Sequence, residues 1–321
     1  MREAIKNFPE QFEFQPKVEN AGKLKRCNAF AVAGMGGSNL AAGLLKIWNP
    51  KLNLIQHRDY GLPELPKAEL EKTLLIASSY SGNTEETIDS FKTALKKKMP
   101  AAVIAVGGRL LELAKKYKAP YIQMPNAGIQ PRMALGFNLR ALLKLAGNAK
   151  GLKESENLKS SLKSNEYERA GKVLAKKLKG HIPAIYTSAA NAAIGYNWKI
   201  KFNETGKIPA FANVFPELNH NEMTGFDSKD KTRELSQKFF FLFLKDPADH
   251  PRILKRMNVT ERLYRERGFP AEVLILNGKN TFQKIFSSLL IADWTAYYAA
   301  QEYGVEAEQV PMIEEFKRLI K

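Results

Sequence analysis

Three hydroxyl side chains, Ser79, Ser81 and Thr84, cluster around Gly82 directly after the apolar run Leu74 to Ala77. Each can donate a hydrogen bond, a glycine lets the backbone turn without a Cβ clash, and the first amides of a following helix lack intrahelical partners. Donors converging in this way suit an anion, and phosphate above all. One Ser or Thr before a helix is ordinarily a cap. Three beside a glycine at the end of a strand point to a ligand, because ligands of open α/β sheets sit at that edge. A second turn, Gly34-Met35-Gly36-Gly37-Ser38, follows the apolar run Ala29 to Ala33 and forms another candidate anion site, although it lacks the full dinucleotide glycine spacing.

Groups able to move protons lie further along. Glu204 ends a helical pattern bearing Ile194, Trp198 and Phe202, just before Gly206 and Pro209, which mark termination. A carboxylate held there can act as a general base. His220 sits in the polar segment Leu218-Asn219-His220-Asn221-Glu222, after Ala212 to Phe215, and imidazole is the side chain suited to shuttling a proton at physiological pH. Arg132, beside Pro131 at a helix start, and Lys317, in the closing helix, are cations suited to a phosphate or an oxyanion. His57, His181 and His250 are far apart and show no metal-ligand spacing, so no metal and no cofactor are expected.

These residues need a scaffold, and the 321-residue length suggests two domains, each able to bury a core without disulfide staples. Cys27 is the sole cysteine, which excludes an internal disulfide framework and favours a reducing cytoplasm. No apolar stretch reaches membrane-spanning length, and residues 1–26 lack the apolar core of a signal peptide. A formal charge of +17 permits nucleic-acid binding, yet the lysines are scattered over helix faces such as Lys96 to Lys98 and Lys176 to Lys179. No basic stripe interleaved with aromatics stands out, so nucleic acid is not the expected partner.

Along the chain, Ile5, Phe8, Phe12 and Phe14 make residues 1–26 a leading arm that packs on something larger. Strand signals follow at Ala29 to Ala33, Leu52 to Gln56, Thr73 to Ser78, Ala101 to Val106 and Tyr121 to Met124, with helical patterns between several of them. This alternation predicts a parallel sheet flanked by helices. A lysine-rich helical connector, Gly147 to Lys179, leads to a second round with strands at Ala184 to Ser188, Phe239 to Lys245 and Val273 to Asn277 and a long helix from about Phe282 to Tyr303. The domains expected are 1–150, with the phosphate loop, and 151–321. In the second, the strand ending at Lys245 runs straight into Asp246-Pro247-Ala248 and has no hydroxyl loop.

Taken together and in order, Gly34 to Ser38, Ser78 to Thr87, Pro131-Arg132, Phe202-Asn203-Glu204-Thr205-Gly206-Lys207 and Leu218 to Glu222 resemble the bifunctional phosphoglucose/phosphomannose isomerase family over nearly the whole chain. The resemblance implies an α/β fold of two tandem sugar isomerase domains, a cytoplasmic homodimer, and metal-free interconversion of glucose or mannose 6-phosphate with fructose 6-phosphate through a cis-enediol. It implies that Ser79, Ser81 and Thr84 hold the phosphate while Gly36, Gly37 and Ser38 line the sugar. Glu204 then matches the base between C2 and C1, His220 the ring-opening residue reaching a neighbouring subunit, Arg132 the cation near the enediolate, and Lys317 a lysine of the closing helix. The chain departs from the family where Glu306-Ala307-Glu308-Gln309 stands in place of Asp-Pro-Thr-Pro. That departure bears on Lys317 and on the mannose epimer.

Two other classes fit parts of the sequence. A non-catalytic sugar-phosphate sensor needs the serine loop but has no use for Glu204 and His220 together. A nucleic-acid-associated regulator rests on the charge alone.

Overall fold

The computed structural model describes residues 1–227 and 230–320. Two compact units form, one of Lys6–Leu162 and one that begins at Lys163 and also takes in Met1–Ile5.

In the unit Lys6–Leu162 the short apolar runs form β1 (Ala29–Ala33), β2 (Leu54–His57), β3 (Thr73–Ser79), β4 (Ala101–Ala105) and β5 (Tyr121–Gln123). All pair in parallel, in the order β2-β1-β3-β4-β5. Every residue of β3 is buried, as a central strand covered on both faces requires. The register sets Ala29 against Thr73 and Ala33 against Ala77, so β1 and β3 deliver their carboxyl ends side by side. The strand order reverses between these two, which in an open α/β sheet is where a ligand crevice forms at the carboxyl ends. Below it, Phe91 of the helix Glu85–Lys96 packs with Val103, Ala105, Leu110 and Leu113 in a dry cluster.

The leading arm divides between the units. Phe8 and Phe12 are buried in the unit Lys6–Leu162, where Gln11 donates to the carbonyl of Met133 at 2.7 Å and accepts from the amide of Gly136 at 3.0 Å. Arg140, fully buried, fastens the same region: its guanidinium donates to the carbonyls of Phe14 (2.5 Å) and Leu152 (3.1 Å), to Ser155 Oγ (2.8 Å) and to Glu156 (3.1 Å). Five fixed N–H groups let one arginine satisfy several acceptors that burial would otherwise strand. Ile5, also fully buried, belongs to the other unit, where its carbonyl accepts from Ser164 Oγ at 2.8 Å.

The unit beginning at Lys163 repeats the topology with β6 (Ile182–Ser188), β7 (Phe211–Phe215), β8 (Phe239–Lys245) and β9 (Ala271–Ile275), all parallel in the order β7-β6-β8-β9. One strand differs from the sequence expectation: Ala212 to Phe215 read only as the approach to a loop, whereas Phe211–Phe215 forms the edge strand β7. Its first two residues are exposed, Phe211 by 55%, so no buried run advertises it. The core is aromatic, with the Phe241 ring 4.4 Å from Tyr264 and 4.8 Å from Phe226.

The helix Ala192–Lys201 continues into a π-helical turn, Phe202–Gly206, which carries Glu204. At the junction, Lys201 meets Asp293 of the long helix Thr281–Glu302 at 2.5 Å, with both side chains at least 98% buried. Removing one partner of such a pair leaves a charge that has lost its main compensation, while removing both leaves an apolar gap. Lys201→Met is therefore expected to destabilise the protein by about 3–5 kcal/mol, and Lys201→Met with Asp293→Leu to regain most of that loss, as read from urea unfolding midpoints.

Candidate active site

The turns after β1 and β3 are bound to each other by short hydrogen bonds. The Tyr80 amide donates to Ser38 Oγ at 2.9 Å, Ser78 Oγ donates to the Ser38 carbonyl at 2.9 Å, and Asn138 Nδ2 donates to that carbonyl at 2.9 Å and to Ser78 Oγ at 3.0 Å. Sequence reasoning missed Asn138, whose role depends on a contact a hundred residues away in the chain. Its local signal is a polar residue within the largely apolar helix Leu135–Leu145, which also carries Arg140 and Lys144.

Within the hydroxyl loop, Ser79 Oγ and Thr84 Oγ1 lie 2.8 Å apart, the Gly82 amide donates to Ser79 Oγ at 3.1 Å, and the Asn83 amide donates to Ser81 Oγ at 3.2 Å. Ser79 is fully buried, Thr84 half-buried and Ser81 exposed, so the loop grades from the protein interior to solvent. Thr84 immediately precedes the helix Glu85–Lys96, whose first amides face the same edge. Gly82 has a left-handed φ of +73°, and a Cβ there would come within 1.8 Å of the Gly107 carbonyl oxygen. Only a residue without a side chain can close this loop.

Arg132 packs against the turn after β1. It is 1% exposed in the 3-10 turn Pro131–Met133, and a Cβ on Gly37 would lie 2.5 Å from its amide nitrogen. Gly36 (φ +50°) precedes the helix Gly37–Trp48, and Ser38 is buried. The residues Gly36, Gly37, Ser38, Ser79, Ser81, Thr84 and Arg132 thus share one edge of one sheet. Backbone N–H groups, hydroxyls and a buried guanidinium at that edge are donors and positive charge suited to a dianion.

The other candidates lie in the unit beginning at Lys163. Glu204 is half-buried on the π turn, and the half-buried Lys207 directly after that turn donates from Nζ to the Glu204 carbonyl at 2.7 Å and to the Gln309 carbonyl. His220 is exposed at the end of the turn Glu217–His220, and its neighbours fix that turn. Asn219 donates to Thr260 Oγ1 at 2.9 Å, Asn221 donates to Glu217 at 2.8 Å, and Glu222 accepts from the Tyr186 hydroxyl at 2.5 Å and from Asn213. Burial holds the Tyr186 phenol far above its ordinary pKa, so it remains a donor to Glu222. Lys317 lies exposed on the helix Pro311–Leu319 in an ion pair with Glu314 at 2.7 Å.

The matching crevice of the second sheet, between β6 and β8, is filled by its own side chains. Asp246 accepts from Lys284 at 2.5 Å, from Asn191 at 3.1 Å and from the Ala248 amide at 3.0 Å, while Asp249 Oδ1 accepts from Ser188 Oγ at 2.7 Å and from Asn191 at 3.3 Å. A carboxylate thus occupies the edge where the first sheet presents hydroxyls.

Similarity to known proteins spans the whole architecture. A family model described as bacterial phospho-glucose isomerase C-terminal SIS domain matches residues 168–320. The chain is 31% identical over 326 residues to the bifunctional phosphoglucose/phosphomannose isomerase of Aquifex aeolicus, covering 99% of this chain and 97% of that one. It is 33% identical over 310 residues to the protein of the same name from Thermoplasma volcanium, covering 95% and 96%. The chain belongs to the bifunctional phosphoglucose/phosphomannose isomerase family. The C-terminal domain of glucosamine-fructose-6-phosphate aminotransferase from Francisella tularensis shares its fold, with a TM-score of 0.68 at 15% identity over 96% of this chain and 95% of that one. Membership in the isomerase family thus rests on close relatives, and the tandem α/β fold extends well beyond it.

The filled crevice of this isomerase-family chain makes a pH prediction. Burial pushes the Asp249 carboxyl above its ordinary value. Burial also pushes Asp246 up, but Lys284, the Ala248 amide and Asn191 outweigh it and hold that carboxyl below its ordinary value. A raised carboxyl costs stability once the pH exceeds its folded-state pKa, and the cost vanishes below the unfolded value of about 4. Asp249→Asn keeps an oxygen for Ser188 and Asn191 and removes the charge. Its unfolding midpoint at pH 7 is expected to exceed that of the unaltered protein, with the two curves converging as the pH falls below about 4.

Proposed function

We propose that this protein is an aldose-ketose isomerase that interconverts glucose 6-phosphate, and its mannose epimer, with fructose 6-phosphate. The observation carrying this reading is the convergence of Ser38, Ser79, Ser81, Thr84 and Arg132 at the switch point of the first sheet, in a chain belonging to a sugar-phosphate isomerase family.

A sugar phosphate carries close to two negative charges at neutral pH. The hydroxyl loop and the helix amides anchor that end, and binding energy spent there fixes the geometry of carbons that react elsewhere. Gly36, Gly37 and Ser38 line the sugar, and the open space beside Gly36 lets the backbone approach it. His220 assists ring opening. In the open-chain aldose, Glu204 removes the proton from C2; the C–H electron pair forms the C1–C2 double bond, and the carbonyl pair moves to O1, which takes up a proton. Arg132 offsets the charge that develops on oxygen. The enediol then loses the proton on O2, C1 takes the proton back from Glu204, and the ketose results. No proton or electron is left over.

The protein is proposed to act in the cytoplasm as a homodimer in which His220 serves the neighbouring subunit's site. The exposed Met312, Phe316 and Leu319 of the terminal helix, 81%, 59% and 79% accessible, support a contact surface of this kind. Lys317, on the same helix, is the least constrained member of the set, since the family's Asp-Pro-Thr-Pro is replaced before it.

A coupled assay on glucose, mannose and fructose 6-phosphates with a chelator present tests the activity. Glu204→Gln is expected to bind sugar phosphate but to lose nearly all turnover, and Ser79→Ala with Thr84→Ala to raise KM more than it lowers kcat. Turnover near that of the unaltered enzyme in Glu204→Gln would remove the assigned base. Mixing inactive Glu204→Gln and His220→Asn subunits should restore part of the activity; complete absence of restoration from a mixed dimer would mean that each site is built within one chain.

A further inference from the structure

Four non-glycine residues have a left-handed backbone among the described residues: Asn20, Lys98, Lys118 and Lys207. A side chain is unfavourable in that conformation, and helices that end this way ordinarily place glycine there. Lys98 and Lys118 are exposed residues at helix ends. Lys207 is different. It is half-buried, with φ +57° and ψ +30°, directly after the π-helical turn that carries Glu204, and its amide closes that turn onto the Phe202 carbonyl. Glycine at Gly206, one position earlier, shows that the turn was not short of a flexible residue.

The ammonium explains why lysine stands there. Its Nζ donates to the Glu204 carbonyl at 2.7 Å and to the Gln309 carbonyl, joining the base-bearing turn to the segment before the terminal helix. That segment is itself fixed, because the Glu306 carboxylate accepts from the amides of Glu308 and Gln309 at 2.6 Å each. The Asn203 side chain braces the other side by donating to the Ile208 carbonyl at 3.0 Å. A π turn has one residue more than an α turn and so re-aims the side chains it carries, and such turns recur at functional sites. A cation bonded to the carbonyl of the residue whose side chain must aim constrains that turn from within.

We propose that Lys207 is a positioning residue for Glu204: by tying the Glu204 carbonyl to that of Gln309 it fixes the direction in which the π turn presents the carboxylate. The replaced segment Glu306 to Gln309 supplies the other end of this tie. The proposal rests on the reading of Glu204 as the base.

The test compares Lys207→Gly, Lys207→Asn and Lys207→Arg with Glu204→Gln and the unaltered enzyme. Glycine and asparagine tolerate the left-handed backbone, so both variants are expected to fold with an unchanged or raised melting temperature while losing the tie. Their kcat should fall about tenfold to a hundredfold with KM for fructose 6-phosphate within about twofold, since small displacements of a reacting group cost rates of this size. Lys207→Arg, which keeps a cationic donor, should recover part of the loss. A second readout is specific to aiming. When glucose 6-phosphate is converted in D2O, slower return of the proton to C1 lengthens the life of the enediol, so NMR should find more deuterium at C1 of the product with the glycine variant than with the unaltered enzyme.

Full kcat in Lys207→Gly and Lys207→Asn would overturn the proposal, as would a kcat loss matched by a fallen melting temperature with deuterium incorporation unchanged. If Glu204→Gln is inactive in the same series, such a failure concerns Lys207 alone. If Glu204→Gln remains active, the reading of the base has failed instead.

Discussion

The close approach of one backbone to another at the carboxyl edge of the first sheet is the constraint on which the candidate phosphate site depends. A Cβ on Gly34 would lie 2.6 Å from the Ser78 carbonyl oxygen, one on Gly37 2.5 Å from the Arg132 amide nitrogen, and one on Gly82 1.8 Å from the Gly107 carbonyl oxygen. Backbone rather than side chain therefore fills the contact zone, and the turns pack tightly enough for Ser38, Ser78 and Asn138 to bond across it. The hydroxyls of the loop are then oriented by the chain itself. A ligand meets donors already in place, which lowers the ordering cost of binding.

The second sheet shows the same strand order put to another use. Both sheets reverse strand order between their first and third strands, the place where open α/β sheets form a ligand crevice. In one, glycines and hydroxyls keep the crevice able to receive an anion. In the other, Asp246 and Asp249 occupy it, and Lys284, Asn191, Ser188 and the Ala248 amide satisfy three of their four oxygens. An incoming phosphate would meet carboxylates instead of free donors. That half is left to contribute in other ways, and it carries irregular features of its own, the π turn at Phe202–Gly206 and the braced loop around His220.

Much of this was legible in the sequence because it is local. A buried parallel strand is a continuous apolar run, so β1, β3, β4 and β8 could be read directly, and the hydroxyl loop lies within a few residues of β3. β7 escaped because an edge strand that begins exposed has no such run. Glu204 and His220 could be singled out by residue type and position, but not the groups that hold them: Tyr186 bonds Glu222 from 36 residues away and Lys207 reaches Gln309 across 102. Asn138 is a similar case, since its importance lies in what folding brings beside it. Family resemblance supplied roles that no reading of spacing could, while the side chains that position those residues emerged only from the fold.

The division of the leading arm bears on how the protein can be taken apart. Ile5 fills the core of one unit and Phe8 that of the other, so the polypeptide passes from one to the other both near residue 5 and near residue 162. A fragment cut at residue 163 would lack the isoleucine its interior requires, and after a nick near residue 162 only the non-covalent seating of Met1–Ile5 would hold the severed piece to the rest.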